Sequence, residues 1–121
     1  VPFDYVNHGA MKLEELSPLY NRCAAALVMS LTNLSLLPLE LLSCGTIPVV
    51  NDGPNNRLVT DNPNIDYVPL SPGALAAELI RIVDADDQVE ASRRAAASVE
   101  SLSWADSGRR FVADFEEAMH A

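Results

Sequence analysis

The chain has 121 residues, the length of one domain with one hydrophobic core, and with 49% apolar and 21% charged residues it is not a disordered polymer. Eight Lys and Arg against 17 Asp and Glu leave a net charge of −9, which argues against a nucleic-acid backbone or an anionic membrane surface as partner. No apolar run approaches the roughly 20 residues of a membrane span, no basic-then-apolar leader follows Val1, and Cys23 and Cys44 alone do not make a disulfide framework. A reducing, cytoplasmic setting is the expectation.

Taken in chain order, Phe3 to Asn7 alternates like a short strand, closed by His8-Gly9. Leu13, Leu16, Leu19 and Tyr20 then recur at helical spacing within residues 11–22, with Glu14 and Glu15 in the first turn and Pro18 as a kink or restart. Residues 24–29 form a continuous apolar run that fits a strand buried on both faces of a parallel sheet. Residues 30–35 read as a loop and residues 36–45 as a helix, with Ser35 as N-cap, Pro38 in the first turn and Gly45 at the end.

Ile47 to Val50 reads as a third strand, although Pro48 needs a place there without a ladder donor. A turn over 51–54, a short helix over 55–60 and a fourth strand over 65–70 follow. Three more helices are expected, from Ser71-Pro72-Gly73 to about residue 84, over 86–102, and over 104–119 with Ser103 and Asp106 as a capping box. Strands alternating with helices predict an α/β fold: an open parallel Rossmann-like sheet of about four strands with a helical C-terminal tail, in one domain over 1–121.

In open α/β sheets ligands settle at the carboxyl ends of strands, where loops feed helix starts. The loop at 30–35 opening the helix at Leu36 is therefore the prime site. Free amides in that first turn suit a phosphate. Glu40, one turn in, is placed to accept ribose hydroxyls, which together suggests a nucleotide. Residues 1–60 hold three bases and five acids and residues 61–121 five bases and twelve acids, for net charges of −2 and −7, so the acidity lies mostly away from this loop.

Residues 30–50, from Ser30 through Pro38, Glu40 and Gly45 to Pro48-Val49-Val50, resemble the signature of retaining GT-B glycosyltransferases of family four. His8-Gly9, the helix at 16–20, the strand at 24–29, Asp52-Gly53-Pro54 and Ser103-Trp104 have counterparts in order. The resemblance implies the donor-binding half of an enzyme that transfers a sugar from a nucleotide-diphosphate donor to an acceptor hydroxyl with retention, in surface polysaccharide or glycoconjugate synthesis. It implies that Glu40 binds the ribose, that the amides of Leu36 and Leu37 face the diphosphate, and that Thr32 or Asn33 approaches the sugar beside Ser35. Thr32 stands where that family has its first motif Glu, and Asn33 and Ser35 stand where it has glycines.

An N-terminal acceptor domain with a catalytic histidine, and an Arg and Lys for the diphosphate, are implied to precede Val1, so the chain is expected to be cut from a longer one and inactive alone. No metal or other cofactor is expected. The alternative is a non-catalytic α/β module, either a degenerate glycosyltransferase half kept as a scaffold or a receiver-like domain. Among the remaining residues, His8 is structural, Cys23 and Cys44 are buried inert thiols, Arg57 forms a surface ion pair and Trp104 is a packing anchor. Arg93-Arg94 and Arg109-Arg110 read as solvated helix faces, and Asp84, Asp86 and Asp87 as a helix boundary.

Overall fold

The apolar runs become adjacent strands. In the computed structural model, which describes residues 2–58 and 60–120, β1 (Ala25–Val28), β2 (Ile47–Asn51) and β3 (Asp66–Val68) lie side by side in the order β1-β2-β3. Both pairings are parallel, with Ala25 opposite Ile47 and Val49 opposite Asp66. β2 is buried along its whole length, as a central strand with both faces covered must be. Pro48 fits there because Ile47 donates its N–H to Ala24 O, just ahead of β1. The next amide therefore faces the other edge, below the level at which β3 begins to pair.

The helices are α1 (Leu13–Tyr20), α2 (Leu37–Ser43), α3 (Pro54–Arg57), α4 (Pro72–Val83), α5 (Gln88–Ala97) and α6 (Trp104–His120). α1 runs through Pro18 as one segment, its start fixed by Glu15 accepting the Lys12 amide at 2.7 Å. Ser71 caps α4 by accepting the Ala74 amide, and Pro72 supplies the first turn. α4 then lays Leu75, Leu79 and Ile82 against all three strands, while α2 packs against β1, β2 and α5. Leu41, Leu42, Val49 and Val50 form the driest part of the core. Gly45 ends α2 at φ +76°, and the backbone of α5 comes so close that a Cβ at this position would lie 3.2 Å from Ser92 O.

The α/β class, the open parallel sheet and the helical C-terminal region stand as read from sequence. The sheet has three strands among the described residues, not four, because residues 3–7 form no strand. Phe3, Tyr5 and Val6 are exposed, since alternation offers a face but supplies no neighbouring strand to bond. The short helix expected over 55–60 is Pro54–Arg57, and Val59 lies outside the described residues. Trp104 is 79% exposed and, among the described residues, is not the packing anchor expected. Cys23 and Cys44 are half-buried free thiols, Cys23 donating to Leu19 O and Cys44 lying beside Ser17 Oγ. Asp84 and Asp87 flank the α4–α5 boundary as expected.

Candidate functional site

At the carboxyl ends of the strands, three segments converge: the loop at 30–35, the end of β2 and the start of α3. β1 stops at Val28 while β2 continues to Asn51, and the Asn51 side chain extends the ladder in place of a backbone peptide. Its Oδ1 accepts the Ser30 amide at 2.9 Å and its Nδ2 donates to Ser30 O at 2.8 Å. Asn56 Nδ2 reinforces the clamp by donating to Ser30 O at 3.1 Å and to Asn51 O at 2.8 Å. Both asparagines are buried, so these bonds are shielded from competing water. Asn56 Oδ1 is buried without a hydrogen-bond partner among the described residues.

The loop itself is folded by its short polar side chains. Ser30 Oγ donates to Asn33 O at 2.6 Å and accepts the Thr32 amide at 3.2 Å. Asn33 Oδ1 accepts the Ser35 amide, a local turn that releases the chain toward α2. Leu34, buried at 3% exposure, pins the loop into the core. Thr32, Asn33 and Ser35 stay exposed above it.

Ser35 does not cap α2. It adopts φ +54°, a left-handed backbone that cannot act as an N-cap, and Leu36 takes the cap position without a side-chain bond. The loop therefore keeps a glycine-like conformation at a position held by serine. Leu36 is exposed and Leu37 half-buried against the core. Pro38 contributes no amide, so the first turn of α2 offers few free donors. Glu40 is exposed in that first turn, and its carboxylate and burial together push the Tyr20 phenol up, with burial the larger cause.

Beside the loop, Asp52 and Arg57 form a bidentate ion pair, with Nε–Oδ1 at 2.6 Å and Nη2–Oδ2 at 3.0 Å. The hydrogen bond from Arg57 holds the Asp52 carboxyl below its usual range. The guanidinium lies 4.6 Å from the Tyr67 ring centroid, and burial pushes the Tyr67 phenol up. Arg57 is thus engaged by protein on two sides, as the surface-pair reading expected. A hollow of about 140 Å³ lies among Ser30, Asn51, Asp52, Asn56 and Leu70. His8 sits outside this cluster, in the exposed N-terminal segment.

A larger hollow, about 620 Å³, opens at the opposite, amino ends of the strands, between the turn after α1, the end of α4 and α5. Arg22, Arg81, Arg93 and Arg94 line it together with Asp66 and Asp87. Arg81 pairs with Asp66 and Glu78, and Arg94 with Asp87, so its rim is electrostatically balanced. Size alone would favour this hollow. Chemistry and topology favour the smaller one, where backbone amides and an open loop meet at the strand ends.

Residues 3–80 match the family described as WsaF, C-terminal domain. The chain belongs to that family. The matched stretch contains every strand and the whole candidate site, while α5 and α6 lie beyond it. The WsaF C-terminal domain is glycosyltransferase-associated. This WsaF-family chain is also 36% identical over 75 residues to the O-antigen biosynthesis protein RfbC of Myxococcus xanthus, an alignment covering 60% of the chain and 6% of that protein. No solved structure matches it. None of its described helices is long and apolar enough to cross a membrane.

The six residues singled out from sequence, Thr32, Asn33, Ser35, Leu36, Leu37 and Glu40, all fall on one loop and the helix it opens. Sequence reading missed Asn51 and Asn56, which hold that loop in place. The available signal was two amides following a buried strand, and it reads equally well as an ordinary turn.

Proposed function

We propose that the chain is the donor-binding half of a retaining glycosyltransferase of GT-B type, acting in the synthesis of an O-antigen-like surface polysaccharide. Membership of a glycosyltransferase-associated family and likeness to an O-antigen biosynthesis protein support the reaction class and setting. The observation that carries the donor role is the position of the 30–35 loop: at the carboxyl end of a parallel sheet, clamped by buried amides, and opening directly into the helix that bears Glu40.

In this reading Glu40 accepts the ribose hydroxyls and the amides of Leu36 and Leu37 meet the diphosphate. Ser35, in its left-handed conformation, lets the backbone approach the phosphate closely. Thr32 and Asn33 face the sugar. The chain contributes positioning: a loop already folded by its own hydrogen bonds pays little ordering entropy when the donor binds. The acceptor site and the catalytic histidine belong to another part of the full-length protein, at the cytoplasmic side of the membrane.

The test is titration of nucleoside diphosphates and nucleotide-sugars by calorimetry or NMR, with Glu40→Gln alongside. Binding that the substitution weakens, with shifts confined to residues 30–40, is expected. Saturating ligand without shifts in those residues would sink the donor-site assignment. A second reading, a donor half kept as a scaffold, is favoured by Thr32, whose short hydroxyl is already turned toward Ser30 Oγ at 3.5 Å. It predicts nucleoside-diphosphate binding that an attached sugar does not improve.

A further inference from the structure

The larger hollow, at the amino ends of the strands, takes no part in the site at their carboxyl ends. Its floor is apolar, from Ile47 at the start of β2 and Ile82 near the end of α4, both buried. One wall is α5, held close because Gly45 has no Cβ to meet Ser92 and because Ala95 is buried in the core. At about 620 Å³ the hollow has the size of pockets that enclose a small organic molecule.

Charge says what kind of molecule that is. The chain has eight Lys and Arg in all, and four of them, Arg22, Arg81, Arg93 and Arg94, line this one hollow. They come from three separate segments: the turn after α1, the last turn of α4, and α5. No single helix pattern brings them together. Asp66 and Asp87 line the hollow as well, and each is engaged, Asp66 by Arg81 at 2.9 Å and Asp87 by Arg94 at 3.0 Å. Those pairs balance one another at the rim and leave two cations over. Arg22 meets no carboxylate among the described residues, and Arg93 reaches only Glu90, at 4.0 Å. The forked donors of a guanidinium match the paired oxygens of a phosphate or a carboxylate. Asn64 and Ser92, on the same lining, add amide and hydroxyl groups that suit the hydroxyls of a sugar. Asp84, Asp86 and Glu90 stand next to the lining residues in sequence and repel an extended polyanion, so the ligand is a small one.

We propose that this hollow is a second ligand site, which takes a sugar bearing a phosphate or carboxylate group, with Arg22 and Arg93 binding the anionic group. It lies at the opposite ends of the strands from the 30–35 loop, so it stands or falls apart from the donor-binding reading. NMR titration of the 121-residue chain with glucose 1-phosphate and, separately, with glucuronate tests it. Saturable shifts in residues 21–24 and 87–94 are expected with at least one of the two, and the one that binds identifies the anionic group. Arg22→Gln/Arg93→Gln should weaken that binding roughly tenfold. Both side chains are exposed, so the urea midpoint should not move. The same charge change on α6, Arg109→Gln/Arg110→Gln, should leave binding as it is, because neither residue lines the hollow. Absence of saturable shifts with both ligands overturns the proposal, as do shifts confined to residues 30–40. Binding that survives Arg22→Gln/Arg93→Gln, or that falls equally in the α6 variant, overturns it too.

Discussion

The two ends of the parallel sheet are built from different forces. At the carboxyl ends, uncharged amides do the holding: Asn51 and Asn56 clamp Ser30 through buried hydrogen bonds. At the amino ends, the larger hollow is rimmed by partly exposed Arg–carboxylate pairs, Arg81 with the half-buried Asp66 and Glu78, and Arg94 with Asp87. Hydrogen bonds between neutral buried groups are insensitive to salt and pH, whereas exposed ion pairs are screened and titrate. The end with the smaller hollow is therefore the more fixed one. A binding loop benefits from that, because a loop held in shape before ligand arrives spends less binding energy on ordering.

The contrast can be broken most severely at Asn51. Asn51→Ala leaves the Ser30 amide without a partner inside the protein and the Ser30 carbonyl with Asn56 alone, and should cost about 3 kcal/mol. Urea unfolding reads that loss, and its size should be unchanged in high salt. Gly45→Ala attacks the other end, by forcing an L side chain to φ +76° against the α5 backbone, and should cost about 2 kcal/mol by the same measurement. A cost at Gly45 exceeding that at Asn51 would reverse the ranking of the two ends.

A smaller effect separates them by pH. Burial, then the neighbouring Glu78 carboxyl, push the Asp66 carboxyl up. The folded chain therefore binds a proton at Asp66 more readily than the unfolded chain, and this group's contribution to stability declines as pH rises from about 4 through the raised value. Glu78, held down by Arg81, has the opposite sign: its stabilisation is present above the usual Glu value and is lost as pH falls through the lowered one. Asp66→Asn removes the first slope and keeps the second. The variant should gain on the parent as pH rises from about 4 to neutrality, by about 1 kcal/mol at most. Urea midpoints across that range check it, and parallel curves would show that Asp66 is not strained.

The smallest stability change belongs to the proposed ligand residue. Glu40→Gln should shift stability by less than about 0.5 kcal/mol, because the side chain is exposed. The same change should weaken nucleotide binding roughly tenfold through loss of a charge-assisted acceptor. A large stability cost with unchanged binding would return Glu40 to the fold.

Much of the architecture was legible because its causes are local. The apolar run at Ala25–Val28, Ser71 ahead of Pro72, Gly45 after α2, and Ser103 accepting the Asp106 amide each act within a few residues. The failures share one cause. Residues 3–7 alternate like a strand and Trp104 is large and apolar, yet neither is covered by a neighbour among the described residues. Ser35 has the chemistry of a cap, but Leu34 anchored in the core and Asn33 bonded to its amide turn it into the left-handed region. The candidate site divides in the same way: the loop and Glu40 were singled out from strand ends and helix starts, while the asparagines that hold the loop were not.

By itself the sequence determined the alternation of elements and the parallel class, and it singled out the 30–35 loop on which the donor-site proposal rests, since periodicity, capping and turn preference operate over a few residues. Only the tertiary structure decided which of two hollows is rigid, because Asn51 and Asn56 reach Ser30 across 21 and 26 residues of chain. It also decided that α4 docks and α6 does not. Both helices carry an apolar stripe, and a stripe states only that a partner is needed. Leu75 and Ile82 of α4 find the sheet, while Phe111 and Phe115 of α6 stay exposed and stack only on each other among the described residues.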